Sequence, residues 1–276
     1  MSFYKLLPSL CLFCASADAT DFLLGLGVEG DSADGRAISA FADIEYGDKA
    51  WLSFAGIKSE TDAITRSNEI VFAELNVDYF FDPVGLRIGG SYWGDSDILD
   101  SRDVSMSLYV VGNAGSMSID YQKRKFEFDL QTGLSRGQTV EFSADGFGIS
   151  SRLAFSERIN FYLGGMVYDY SKDLRIQPDI NLLAYVSRSR LTAIGSLIDH
   201  RISTGLEYRF GLKSVDVSVG QWQTAVDDRR VDSYSFGFLT PVLDRFDAEF
   251  RLSLDKSETY GKTTAVSFHL YYFGGS

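Results

Sequence analysis

Cysteine is almost absent from this chain of 276 residues, and the two present, Cys11 and Cys14, both fall within the first nineteen positions. That stretch reads as a secretory signal peptide spanning 1–19. Lys5 precedes an apolar run from Leu6 to Ala15 interrupted by Pro8, and Ala17-Asp18-Ala19 supplies the small-x-small cleavage pattern. The run is too short to span a bilayer as a helix. With the segment removed, residues 20–276 contain no thiol, which excludes a disulfide frame, a cysteine nucleophile and cysteine-ligated metal. Histidine is also scarce, with only His200 and His269, so most zinc arrangements are out of reach and no cofactor is expected. Proline is rare, at 4 residues, and no low-complexity tract occurs, which argues against disorder. After residue 20 no apolar run approaches the ~18 residues of a spanning helix. Positive charge is the last deficit. The net charge of −12, unchanged when Lys5 and Asp18 leave together, makes nucleic acid an improbable partner because polyanions are repelled.

What the chain has in quantity is alternation. Phe22, Leu24, Leu26 and Val28 share one face of the first segment, while Leu23, Gly25, Gly27 and Glu29 share the other. The second segment opposes Ile38, Ala40, Ala42, Ile44 and Tyr46 to Ser39, Phe41, Asp43 and Glu45. The same pattern returns at 71–79, 201–210 and 246–252. Greasy-polar repeats over ~10-residue segments are the signature of strands that cross a membrane in a closed barrel. A soluble sandwich would alternate in the same way, so the connections decide. Short links such as Gly47-Asp48-Lys49, Asp82-Pro83-Val84-Gly85 and Gly211-Leu212-Lys213-Ser214 interleave with long polar ones at 59–68, 95–102, 171–199, 227–232 and 255–262. One short-turn rim and one long-loop rim fit a barrel set across a membrane. Aromatic residues near strand ends (Tyr46, Trp51, Tyr79, Phe80, Phe81, Tyr92, Trp93, Tyr208, Phe210, Tyr272) suit the girdles at its two interfaces.

The final segment, Val266-Ser-Phe-His-Leu-Tyr-Tyr-Phe273, alternates most cleanly. Behind a signal-like N-terminus it resembles the closing strand of a Gram-negative outer-membrane β-barrel, porin-like in kind, although this chain continues through Gly274-Gly275-Ser276. The resemblance implies location in the cell outer membrane, recognition of the terminal strand by the barrel-assembly machinery, and sealing of that strand against the first. Outer-membrane lipid and lipopolysaccharide would be its surroundings, with Val266, Phe268, Leu270 and Tyr272 toward lipid.

The expected fold is therefore all-β: a transmembrane antiparallel up-and-down barrel of about fourteen strands, in a range of 12–16, with periplasmic termini. Strand parity slips near Lys123-Arg124-Lys125 and near Asp145-Gly146, which is read as bulges in one long hairpin at 116–156 whose Phe126-Glu127-Phe128 and Val140-Glu141-Phe142 part projects above the membrane. Ser189 to Asp199 places Leu191, Ile194, Leu197 and Ile198 at helical spacing, either as a constriction folded into the lumen or as a short helix on the rim.

Parity puts Glu29, Asp43, Glu45, Glu74, Asp78, Asp120, Glu207, Asp216, Asp247 and Glu249 inward, opposed by Arg87, Arg152, Arg201, Arg209 and Arg251. These charges either line a hydrated, net-negative passage for small polar or cationic solutes or form ion pairs that stiffen the wall. Two other functions compete with a passive channel. One is a structural or surface-interaction barrel whose loops bind a partner. The other is a lipid hydrolase using Ser267 with His269, or Ser203 with His200, although the former pair faces away from lipid under this parity. Acidic loop clusters, Asp95 and Asp97 with Asp100 and Asp103, or Asp227-Asp228, are either solvated charge or weak divalent-cation sites.

Overall fold

The computed structural model describes residues 19–62, 67–95, 99–130, 138–174, 197–258 and 261–275. The expected signal segment and residues 191–196 of the helical pattern lie outside them. The strands are β1 (Ala19–Asp31), β2 (Gly35–Tyr46), β3 (Ala50–Asp62), β4 (Ser67–Phe80), β5 (Val84–Asp95), β6 (Leu99–Gly112) and β7 (Gly115–Leu130), followed by β8 (Gln138–Ser156), β9 (Ile159–Tyr170), β10 (Ile198–Phe210), β11 (Lys213–Thr224), β12 (Arg230–Leu243), β13 (Phe246–Ser257) and β14 (Gly261–Gly275). Each is antiparallel to its sequence neighbours, and β14 closes on β1 to give a barrel of 14 strands. Leu26 stands opposite Leu270, and Val28 opposite Phe268, along that seam.

Closure leaves no sheet edge, so backbone donors and acceptors are satisfied within the wall. One rim turns tightly, as where Gly211 adopts φ 66° between β10 and β11, a backbone shape that suits a two-residue hairpin turn. Both described ends of the chain, Ala19 and Gly275, lie at this short-turn rim. The strands run further into the opposite rim than the alternation indicates, with β3 reaching Asp62 and β13 reaching Ser257.

The outward face is apolar through the middle of every strand. Ile119 is 66 % exposed, in company with Leu26, Ile88, Leu108, Phe147, Ile149, Val217 and Phe268. An apolar band of this extent on the convex face is stable only against lipid. Ten or so residues suffice to cross a bilayer in a tilted strand, whereas β7 has 16 residues and β8 has 19, so this hairpin overhangs the band.

The parity does not slip in the overhang. β7 and β8 pair without a shift from Gly115 opposite Leu153 to Leu130 opposite Gln138, and no bulge occurs at Lys123–Lys125 or Asp145–Gly146. The surroundings invert instead. Ile119, Tyr121, Lys123 and Lys125 lie on one face, and the change from apolar to charged marks where lipid gives way to water. The opposite face switches in the other sense, from Ser118 and Asp120 to Phe126 and Phe128. Phe126, 1 % exposed, stacks on Phe142 at 4.7 Å and gathers Ile70, Trp93, Leu99, Phe128, Leu174, Leu197 and Val226 into one buried cluster. Beneath it the Arg124 guanidinium pairs with Asp103 at 3.1 Å and lies 4.7 Å from the centre of the Phe126 ring. Leu197 and Ile198 are buried here, with Ile198 opening β10 as a strand residue rather than closing a helical turn. Tyr170 donates to the Ile198 carbonyl at 2.9 Å, and burial pushes its phenol well above the usual value.

Three of the aromatic residues assigned to the girdles belong to the inner face. Trp51 stands opposite Glu45, Phe80 stacks with Tyr109, and Trp93 is buried in the cluster. They lie near strand ends, as the others do, but at the alternate parity.

Candidate functional site: the inner wall

Curvature identifies the inner face independently of hydrophobicity. On the concave side of a closed sheet, side chains two strands apart converge over the strand between them; on the convex side they diverge. Tyr168 of β9 donates to Gln122 of β7 at 2.7 Å, and Arg251 of β13 reaches Asp216 of β11 at 3.1 Å. Arg152 of β8 pairs with Glu207 of β10, and Tyr109 of β6 donates to Asp78 of β4.

Some of these pairs cross a glycine of the intervening strand. A Cβ added to Gly237 of β12 would lie 2.0 Å from the Asp216 carboxylate, and one on Gly85 of β5 would lie 2.0 Å from the Tyr109 ring. Glycine beneath these contacts leaves the room they use; a larger residue would have to displace the Asp216 or Tyr109 side chain.

The inward charges form two populations. Arg87 pairs with Asp78 at 2.8 Å, Arg209 pairs with Glu207 at 2.7 Å, and Arg251 binds Glu249 at 2.6 Å as well as Asp216. Asn160 donates a further hydrogen bond to Glu207, and Tyr271 donates to Glu249. Asp120 accepts from Ser118 at 3.0 Å. In contrast, Asp43, Glu45, Glu74 and Asp247 make no ion pair or hydrogen bond through their side chains among the described residues. Asp43 stands opposite Ser53, Glu45 opposite Trp51, and Glu74 opposite Ala55 and Ser91. Glu29 faces Ser267 across the seam. Arg201 also lacks an ion pair among the described residues.

Hydration differs with height. Charged groups of the lower wall keep access to solvent inside the barrel: the side chains of Arg87 and Arg152 are each 53 % exposed and that of Arg209 is 50 %. At the level of the aromatic cluster the inner wall is buried around the barrel, including Ala37, Ser59, Ser101, Thr224, Asp255 and Ala265. The lower hollow, about 540 Å³, is lined among others by Asp43, Trp51, Asp78, Arg87, Tyr109 and Asp120.

The other candidate chemistries are not assembled. Ser267 is buried opposite Arg251 and Glu29, whereas His269 sits over Gly27 and opposite Glu249 with its buried Nδ1 unpartnered among the described residues. His200 pairs with Asp199 at 2.8 Å on the outward parity, and Ser203 lies on the inward one. Asp100 and Asp103 occupy opposite faces of β6; Asp103 is taken by Arg124, and Asp227 pairs with Arg229. Among the described residues no group of three or more His, Cys, Asp or Glu is placed to hold a metal ion.

On the terminal strand, Val266, Phe268 and Leu270 are exposed on the convex face, and Tyr272 packs there between Phe22 and Phe246.

No protein-family model matches the chain, and no curated protein sequence matches it. Solved structures do. The CymD monoaromatic hydrocarbon channel is similar with a TM-score of 0.56 and 9 % identity over 95 % of this chain and 90 % of that one. A loop L8 deletion mutant of OmpT, an outer-membrane protein of Vibrio cholerae, is similar with a TM-score of 0.51 and 8 % identity over 93 % and 99 %. The chain thus has the fold of outer-membrane β-barrel proteins, including a described channel.

Proposed function

We propose that this barrel is a passive outer-membrane channel that lets small polar solutes diffuse down their gradients along the wall lined by the fifteen inward charges named above. The observation that carries the reading is the half-exposure of Arg87, Arg152 and Arg209 inside a closed barrel, because guanidinium groups keep that exposure only where the lumen holds water. Unpaired Asp43, Glu45 and Glu74 on β2 and β4 leave that side of the passage negative and favour cations. The packed upper level is the narrow end, so unitary conductance is expected to be small. Residues 1–19 serve as the export signal, β14 is the strand read by the assembly machinery, and lipopolysaccharide surrounds the upper rim.

Purified protein in a planar bilayer tests the reading: discrete openings are expected, and silence at every voltage sinks it. The combined change Asp43→Asn, Glu45→Gln and Glu74→Gln is expected to move the reversal potential in a salt gradient toward neutrality. An unmoved potential would remove these three from the passage.

A further inference from the structure

Register reveals a bay in the inner wall. Starting at β7 and crossing to β12, the inward positions along one row of register partners are Ser118, Ser150, Gly164, Ser203, Gly220 and Ser233, a row that climbs from near the short-turn rim toward the opposite one. Along this row six adjacent strands thus present nothing larger than serine, where the neighbouring rows carry Met166, Trp222, Arg152 and Tyr162. The result is a hollow of about 310 Å³ recessed behind its surroundings. Its upper border is set by Arg201, directly opposite Trp222 on β11 and Met166 on β9.

Arg201 is the feature that turns this recess into a site. The other four inward arginines named above are held by carboxylates, whereas Arg201 is exposed and has no ion pair among the described residues. A guanidinium offers a planar fork that matches a carboxylate in a two-pronged hydrogen bond. The adjacent indole offers a flat apolar surface, and the serine hydroxyls offer donors and acceptors across the floor. Asp120, at the far end of the hollow, is occupied by Ser118 and keeps a second anionic group away.

We infer that Arg201, Trp222 and the serine–glycine floor form a binding subsite for a small monocarboxylate that carries a flat or hydroxylated six-membered ring. The subsite rests on the channel reading for its role in passage, since it gives a carboxylate a resting place in an otherwise negative lumen. Its binding chemistry does not depend on conduction.

Calorimetric titration of the purified full chain in detergent, with sodium benzoate and sodium glucuronate as probes and acetate as the ring-free control, reads binding directly. At least one ring probe is expected to bind, and Arg201→Gln is expected to weaken it by about tenfold or more. Trp222→Leu keeps bulk and removes the indole face, and is expected to weaken it by about three- to tenfold. Ser203→Leu fills the recess and is expected to abolish it, with an unchanged circular-dichroism strand signal showing that each variant is folded. Unchanged affinity in Arg201→Gln, acetate binding as tightly as the ring probes, or no binding of either ring probe would overturn the subsite. A barrel that conducts but binds neither probe loses the subsite alone. One that binds with the stated losses but never conducts keeps the subsite and loses the channel.

Discussion

Along β7 the same strand passes through two opposite worlds. In its lower part Met117 and Ile119 face lipid while Ser118 and Asp120 face the lumen; in its upper part Lys123 and Lys125 face outward while Phe126 and Phe128 are buried inside. The backbone and register do not change between the two parts. A two-residue period therefore fixes which side chains share a face, but it does not say which face is wet. Where lipid surrounds the wall the outside must be apolar, and where water surrounds it the hydrophobic effect acts inward again, as in a soluble core.

The largest expected effect lies in the inverted part. Phe126→Ala removes the most deeply packed ring of the upper cluster, and a cost of about 3–5 kcal/mol is expected, read as a shift of the guanidinium midpoint in lipid vesicles. A cost near zero would mean that the upper layer is not a core. Ile119→Lys, on the convex face of the lipid part, is expected to cost about 2–4 kcal/mol by the same titration; a value below that would place Ile119 outside the bilayer. The mirror change Lys125→Ile, on the same face of the same strand but above the band, is expected to stay within about 0.5 kcal/mol. Equal costs for the two outward changes would erase the boundary drawn between Tyr121 and Lys123.

Much of this architecture is written locally in the chain. Strand number and rim asymmetry follow from alternation and turn chemistry, because each depends on residues a few positions apart, as at Gly211-Leu212. The hairpin β7–β8 was legible as long and overhanging, yet its inversion looks like a slip when a single greasy face is assumed throughout. Arg251 with Asp216, and Arg152 with Glu207, were not legible as pairs, since they depend on curvature bringing alternate strands together, in the first case over Gly237 of β12 and in the second over Asn160 and Tyr162 of β9. The serine–glycine bay was equally hidden. Its residues run from Ser118 to Ser233, and only the register of six strands brings them into one continuous row. Parity could assign Arg201 to the inner face, but its lack of an ionic partner is a property of the assembled wall.

The seam between β1 and β14 has a temporal meaning as well as a geometric one. It sets Phe22 against Gly274, residues from opposite ends of the chain, so it is the pairing with the longest loop to close and the slowest for a free chain to find. Until it forms, β1 through β14 make a sheet with two raw borders, each able to capture a strand from another molecule. A chain lacking Gly261–Gly275 would not be a slightly smaller barrel but an open ribbon. The last strand of the barrel thus decides whether all the earlier ones become a closed wall.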